Sequence, residues 1–232
     1  MFRKESAASG GSAGLTIYNQ STEGLFRIDF AARSHPSLTM TANEERLLEL
    51  LKKRSFKRAL PGEMFTLASG EKSEYFIDGK MTAVCSEGAA LIGEVLYDRT
   101  KDDRIDAIGG LQVGAVPLAT AAVISYHQHG RPIEGFWARE ESKDHGTRKR
   151  VEGGLQKGMR VAVIDDVFTK GGSTLKAVEA VRDFGCEVVF VLALVDRLRG
   201  AQELFRQNGI TDYRTVFTIR DFGITVPADA AH

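Results

Sequence analysis

Apolar and polar residues alternate along the chain with two different periods. The leucines of "RLLELLKKR" (46–54) form one face at helical spacing, and Thr41 followed by Glu44 fits a capping box, so a helix is expected to begin there. Farther along, short apolar runs predict strands at 104–110, 132–140, 160–164 and 187–195. Segments that combine apolar and polar residues over longer stretches predict helices at 86–100, 114–130, 173–184 and 201–209. Strands that alternate with helices predict an α/β fold with a mostly parallel sheet flanked by helices.

Several boundaries and connections can also be predicted. Ser86 is the expected N-cap of the second helix, and Pro117 and Gly130 suit the first turn and the end of the third. The segment 63–81 predicts two short strands around a Ser-Gly turn. Residues 141–154 are polar and glycine-bearing, which predicts a long exposed loop, and a short tail is expected after residue 209.

The first 39 residues differ in composition from the rest. "ESAASGGSAG" and "ARSHPS" are small and polar, so residues 1–39 are expected to form a disordered arm and residues 40–232 the folded domain. Met40 directly precedes the first helix cap, and we hypothesise that it is the natural start.

Composition and charge exclude several classes of protein. The 232 residues are 43% hydrophobic, enough for a sizeable core, and 31 basic residues balance 31 acidic ones, which disfavours a general nucleic-acid binder. The longest apolar run, 188–195, is far shorter than the roughly 20 residues that span a bilayer. Cys85 and Cys186 are too few for a disulfide scaffold and lack the spacing of a zinc site, so the reducing cytoplasm is the expected location. The short apolar runs predict that the protein does not bind a membrane.

Two adjacent acids interrupt an apolar strand. Asp165 and Asp166 follow the run 160–164, and the glycine-rich residues 169–173 come next, at the start of a helix. Ligands of open α/β sheets bind beyond the carboxyl ends of strands, and the amides at a helix N-terminus suit a phosphate. Ionised carboxylates accept hydrogen bonds, as from a pair of hydroxyls. Together these features predict a site for a ribose 5-phosphate.

A simpler interpretation of the same residues stays open. Asp165 and Asp166 could be surface charges at a strand end, with Gly171 and Gly172 serving only the turn into the helix. Neither a Walker A sequence nor a dinucleotide-binding G-x-G-x-x-G after a strand occurs in the chain, so those two nucleotide folds are unsupported.

The complete stretch "VAVIDDVFTKGGST" resembles the phosphoribosyl pyrophosphate (PRPP) motif of type I phosphoribosyltransferases. Other segments are similar to the orotate phosphoribosyltransferase family in the same order along the chain. These are "FTLASGEKSEYFIDGKM" at the N-terminal signature, "IGGLQVGAVPLA" at the pyrophosphate loop, "AREESKDHG" at the catalytic loop and "ALVDRLRGAQE" near the base. The resemblance covers roughly residues 44–205 and implies the type I phosphoribosyltransferase fold, with a small hood formed by N-terminal elements.

The resemblance implies a role for individual residues. Asp165 and Asp166 bind the ribose hydroxyls, and the 5-phosphate is wrapped by Val167, Phe168, Thr169, Lys170, Gly171, Gly172 and Ser173. Thr169 and Arg197 contact orotate, and Tyr75 and Phe76 match aromatic residues that pack on the base. Because side chains alternate along a strand, at least one of these two aromatics is expected to be a core residue.

The charged loop 139–150 is the implied catalytic loop. Arg139, Lys143 and His145 are expected to stabilise the departing pyrophosphate in the neighbouring subunit's site, which implies a homodimer. A solvated charge run is the alternative. The implied cofactor is Mg²⁺, bound mainly through PRPP, and no protein metal site is expected.

Three positions depart from the family pattern. Glu140 replaces a basic residue of the loop, Ala68 replaces a lysine, and "GGLQVGAVP" lacks an aromatic-lysine pair. The implied activity is the transfer of phosphoribose from PRPP to orotate, in pyrimidine synthesis. Two alternatives remain at this point: transfer to another base, or a PRPP-binding regulator without catalysis, which Glu140 keeps open.

Overall fold

The computed structural model describes residues 17–21, 24–28, 40–67, 70–140 and 150–226. Two strands lie in the first unit, β1 (Ile17–Ser21) and β2 (Gly24–Ile28), and they pair antiparallel. The other residues of the 1–39 arm lie outside the described residues, so its disorder stays a prediction.

The second unit, Thr41–His232, contains all remaining elements. Its helices are α1 (Ala42–Arg54), α2 (Lys80–Ala83), α3 (Ser86–Thr100), α4 (Ala115–Gln128), α5 (Gly172–Phe184) and α6 (Ala201–Gln207), followed by a 3₁₀ turn at Ile219–Phe222. Its strands are β3 (Phe56–Arg58), β4 (Phe65–Thr66), β5 (Lys72–Ser73), β6 (Tyr75–Ile77), β7 (Ala107–Leu111), β8 (Glu134–Ala138), β9 (Val151–Gly153), β10 (Arg160–Phe168), β11 (Glu187–Asp196) and β12 (Tyr213–Thr218).

A six-stranded sheet in the order β12-β11-β10-β7-β8-β9 forms the centre of this unit. All neighbouring pairs are parallel except β8 with β9, which confirms the predicted α/β fold with a mostly parallel sheet. Alternation along β10 sends Ala162 and Ile164 into a core with α1, α3 and α4, and sends Val161 and Val163 into a second core with α5. Helices therefore cover both faces.

The predicted helix boundaries are largely confirmed. Thr41 and Glu44 form the reciprocal capping box, with the Glu44 amide donating to Thr41 Oγ1 over 3.2 Å. Helix α5 ends at Gly185, whose φ of 95° suits glycine. The prediction for α3 is wrong by one residue, because Cys85, not Ser86, is the N-cap and its sulfur accepts from the Gly88 amide.

Three strand predictions need correction. Strand β10 continues past residue 164 to Phe168, so both acids lie inside it and pair with β11. Strand β9 occupies residues assigned to the loop, because Val151 buries its side chain beside β8. Strand β12 forms where a tail was expected, and it pairs parallel with β11.

The elements before α2 form two small antiparallel sheets, β3 with β6 and β4 with β5, which are the hood expected from the resemblance. Within the described ranges, no helix is long and apolar enough to cross a bilayer.

Candidate active site

Two chain connections approach the carboxyl end of β10. A Cβ atom added at Gly79, after β6, would lie 2.7 Å from Asp166 Cβ. A Cβ added at Gly114, after β7, would lie 2.9 Å from Asp166 Oδ1. Only glycine lets both backbones approach this carboxylate so closely. Asp166 is therefore enclosed by the β6–α2 and β7–α4 connections.

The two acids predicted to hold a sugar differ in their internal partners. Asp165 Oδ2 accepts from Thr174 Oγ1 at 2.7 Å and from Ser173 Oγ at 3.0 Å, and its Oδ1 accepts the Asp166 amide at 3.0 Å. None of the hydrogen bonds between described side chains ends on the Asp166 carboxylate, which lies 3.8 Å from Lys80 Nζ. Asp166 thus keeps most of its accepting capacity for a ligand.

The environment of Asp165 disfavours its charge. Burial, together with the charge of the neighbouring Asp166, raises the pKa of its carboxyl to about 7, although the hydroxyls of Thr174 and Ser173 act in the opposite direction. A buried acid with a raised pKa beside a glycine turn is typical of a functional site.

The turn predicted to hold the phosphate, called the phosphate turn below, is Thr169–Gly171, between β10 and α5. Val167 and Phe168, predicted to help wrap the 5-phosphate, belong to the strand, and the Phe168 side chain is fully buried. Gly171 has a φ of 80°, and a Cβ there would lie 2.8 Å from Phe205 Cζ, so glycine is required twice over. Nothing lies within 4 Å of a Cβ placed at Gly172, so this end of α5 is open.

Lys170 joins the phosphate turn to the hood. Its ammonium forms an ion pair with Glu71, which lies just before β5. Both side chains are substantially exposed, so this contact adds little stability, but it places the β4–β5 hairpin beside the turn.

Arg197 is buried against the hood. Its guanidinium lies 4.5 Å from the centre of the Tyr75 ring, its Nη2 donates to Ser73 Oγ at 3.0 Å, and its Nε donates to the Tyr75 hydroxyl at 3.3 Å. Tyr75 is itself buried, whereas Phe76 on the opposite side of the strand is half-buried against Phe65. The structure thus brings Arg197 and Tyr75 together, and Tyr75 is the core member of the aromatic pair.

The chain segment around Arg197 is fixed by a second buried acid. Asp196 accepts the Leu198 amide at 2.8 Å and the hydroxyl of Tyr213, and burial raises the pKa of its carboxyl. Leu198 has a φ of 54°, so the acid stabilises an unusual turn directly after Arg197. No local pattern of residues predicted this role for Asp196.

The described residues at the root of the loop predicted to be catalytic form ion pairs within the chain. Arg139 forms an ion pair with Glu152 at 3.1 Å, and Glu140 forms one with Lys176 on α5. Arg139 Nε is buried without a hydrogen-bond partner among the described residues. Lys143, His145 and Ala68 lie outside the described residues, so their expected roles stay predictions.

Comparison with known proteins decides the family. Residues 83–228 match the model of the phosphoribosyl transferase domain. The chain is 44% identical over 190 residues to an orotate phosphoribosyltransferase of Bradyrhizobium diazoefficiens, covering 80% of this chain and 98% of that protein. A Sorangium cellulosum orotate phosphoribosyltransferase is also 44% identical, over 184 residues that cover 78% of this chain and 93% of that one. The chain belongs to the orotate phosphoribosyltransferase family.

Solved structures of orotate phosphoribosyltransferases have the same fold. The Mycobacterium tuberculosis enzyme in complex with Fe(III) dicitrate aligns with a TM-score of 0.68 and 37% identity, covering 78% of this chain and 99% of that chain. The same enzyme in complex with PRPP aligns with a TM-score of 0.65 and 36% identity over the same shares. The resemblance inferred from the motifs is confirmed.

Proposed function

We propose that the protein transfers the 5-phosphoribosyl group of PRPP to N1 of orotate, giving orotidine 5-monophosphate and pyrophosphate. The observation that carries this proposal is the arrangement at the end of β10, where an acid pair adjoins an open glycine turn in a chain 44% identical to orotate phosphoribosyltransferases.

The sugar phosphate binds across the strand end and the turn. An ionised carboxylate offers about four lone-pair positions, and the bonds from Ser173, Thr174 and the Asp166 amide leave Asp165 little more than one. Asp166 is therefore the main acceptor for the ribose hydroxyls, and Asp165 assists and fixes the turn. The 5-phosphate lies against the amides of 169–173, where the N-terminus of α5 favours negative charge.

The base binds between the phosphate turn and the hood. Arg197 carries a guanidinium whose direction is already set by Tyr75 and Ser73, so little conformational freedom is lost when it meets the orotate carboxylate or a ring carbonyl. Thr169 in the turn and Phe76 on β6 are proposed as the further contacts of the base.

Transfer requires charge stabilisation more than a protein nucleophile. The bond between ribose C1 and the pyrophosphate oxygen breaks ahead of bond formation to orotate N1, which reacts as the deprotonated anion, so positive charge develops on the sugar and negative charge on the pyrophosphate. The carboxylates at the ribose lie beside the first charge. Lys143 and His145, with Arg139 at the loop root, supply cations for the second, and the closed loop excludes water.

Mg²⁺ suits this site as a partner of the substrate. Within the described part of the chain, no three His, Cys, Asp or Glu side chains are grouped to hold a metal ion. A Mg²⁺ ion that enters with PRPP would neutralise charge on the pyrophosphate oxygens and would take most of its other ligands from water.

Two further features belong to the proposal. Sharing of the loop 139–150 between subunits makes the active form a homodimer. The free thiols of Cys85 and Cys186 support a reducing, cytoplasmic setting.

The test measures orotate consumption by its absorbance in the presence of PRPP and Mg²⁺, with adenine, hypoxanthine and uracil assayed in parallel. Consumption of orotate alone, with one pyrophosphate released per orotate, is expected. Consumption of a different base, or PRPP binding without any turnover, would contradict the proposal.

A further inference from the structure

Lys80 is a lysine of the site to which the family motifs assign no role. It is the first residue of α2, directly after Gly79, whose backbone touches Asp166. Its ammonium lies 3.8 Å from Asp166 Oδ2. In the described part of the chain, no other lysine or arginine forms an ion pair with either acid of β10.

Asp78 fixes the position of Lys80. Its Oδ1 lies 2.7 Å from Lys80 Nζ and also accepts the Lys80 backbone amide at 3.2 Å. The side chain is therefore held at both ends. Burial lowers the pKa of the ammonium, but the hydrogen bond to Asp78 and the charges of Asp166, Asp78 and Asp165 outweigh this effect and raise the pKa above its usual value. Lys80 is a permanent cation at the site.

The position of Lys80 relative to a bound ribose indicates what it contacts. If Asp166 accepts from the hydroxyls on C2 and C3, the substituent on C1 is attached to the carbon next to one of those that carry the bound hydroxyls. A cation 3.8 Å from Asp166 is then within reach of an anion attached at C1. An ammonium has three donors, of which Asp78 uses one, so donors remain for phosphate oxygens.

We propose that Lys80, held in place by Asp78, is a binding residue for the pyrophosphate group of the ribosyl donor. The proposal rests on the proposed function for the identity of that donor. Lys80 also offsets the repulsion that the acid pair exerts on an anionic substrate, which explains how two carboxylates are tolerated in a site for a polyphosphate.

The experiment compares three ligands by calorimetry in the presence of Mg²⁺: PRPP, pyrophosphate and ribose 5-phosphate. Lys80→Met is expected to weaken PRPP and pyrophosphate binding by about tenfold or more, as for a lost charge-assisted contact, and ribose 5-phosphate binding by less than about threefold. Lys80→Arg should restore most of the PRPP affinity. The matched control is Lys101→Met, since the Lys101 side chain is equally exposed at 44% and pairs with Asp98 away from the site.

Each other outcome has a definite meaning. Equal losses for PRPP and ribose 5-phosphate would show that Lys80 only neutralises Asp166, and no loss in Lys80→Met would remove the residue from the site; both overturn the proposal. A parent protein that binds PRPP and pyrophosphate but consumes no orotate would overturn the proposed function, while Lys80 would still be judged by the same three ligands.

Discussion

Thr174→Val tests whether the hydrogen bond from α5 holds the Asp165 carboxylate in position. Thr174 is 1% exposed, and its hydroxyl donates to Asp165 Oδ2 over 2.7 Å. Valine keeps the shape of the side chain and removes only the donor. A hydrogen bond to a charged group contributes about 1.5–3 kcal/mol, so the free energy of unfolding should fall by that amount at pH 8.

The same substitution has an expected pH dependence. Because the pKa of Asp165 is raised to about 7, the carboxyl is mostly protonated at pH 5.5, and the lost bond is then a neutral one. The destabilisation should shrink to about 1 kcal/mol at that pH.

Urea unfolding at both pH values measures this effect. Thr120→Val is the control, because the Thr120 hydroxyl donates to the Val116 carbonyl on an exposed face of α4, and its substitution should change stability by less than about 0.5 kcal/mol. A Thr174→Val protein as stable as the Thr120→Val control at pH 8 would refute the reasoning.

Three further substitutions probe the site. Asp165→Asn removes a carboxyl whose pKa in the folded protein, about 7, exceeds its usual 3.8. The parent protein should therefore lose stability as the pH rises from about 4 to 7, and the variant should not. A difference in the free energy of unfolding between parent and variant that stays constant from about pH 5 to 8 in urea would contradict this. Gly79→Ala places a Cβ 2.7 Å from Asp166 Cβ, so the Asp166 carboxylate must move by a fraction of an ångström. Such a displacement of a binding group should weaken PRPP binding by about tenfold. An affinity equal to that of the parent protein, measured by calorimetry, would contradict this. Arg197→Lys removes the planar group stacked on Tyr75, so KM for orotate should rise more than KM for PRPP in steady-state kinetics, and equal increases would argue against a base-binding role.

The main sheet could be predicted because its strands are buried on both faces. Strands β7, β10 and β11 are nearly continuous apolar runs, and helices separate them, so the alternation of strands and helices along the chain can be predicted. Strand β12 was missed because half-buried polar residues such as Arg214 and Thr215 at a sheet edge lack that signal, and β9 was missed because it has three residues.

The site was predictable where its residues are adjacent in sequence. Asp165, Asp166 and the glycines of the turn form one local pattern, and Arg197 follows a strand end. Thr174 and Lys80 acquire their roles through contacts made by folding: one from α5 back to β10, the other from the β6–α2 connection. Both lie inside segments that resemble the family, but neither contact can be read from the local pattern of residues.

A crystal structure of the protein with bound ribose 5-phosphate is the most direct test of the central claim. The ribose hydroxyls should lie within about 3.2 Å of the Asp166 carboxylate, with the phosphate against the backbone amides of residues 169–173. A sugar phosphate bound elsewhere, with Lys80 closed onto Asp166 and the turn empty, would contradict the account.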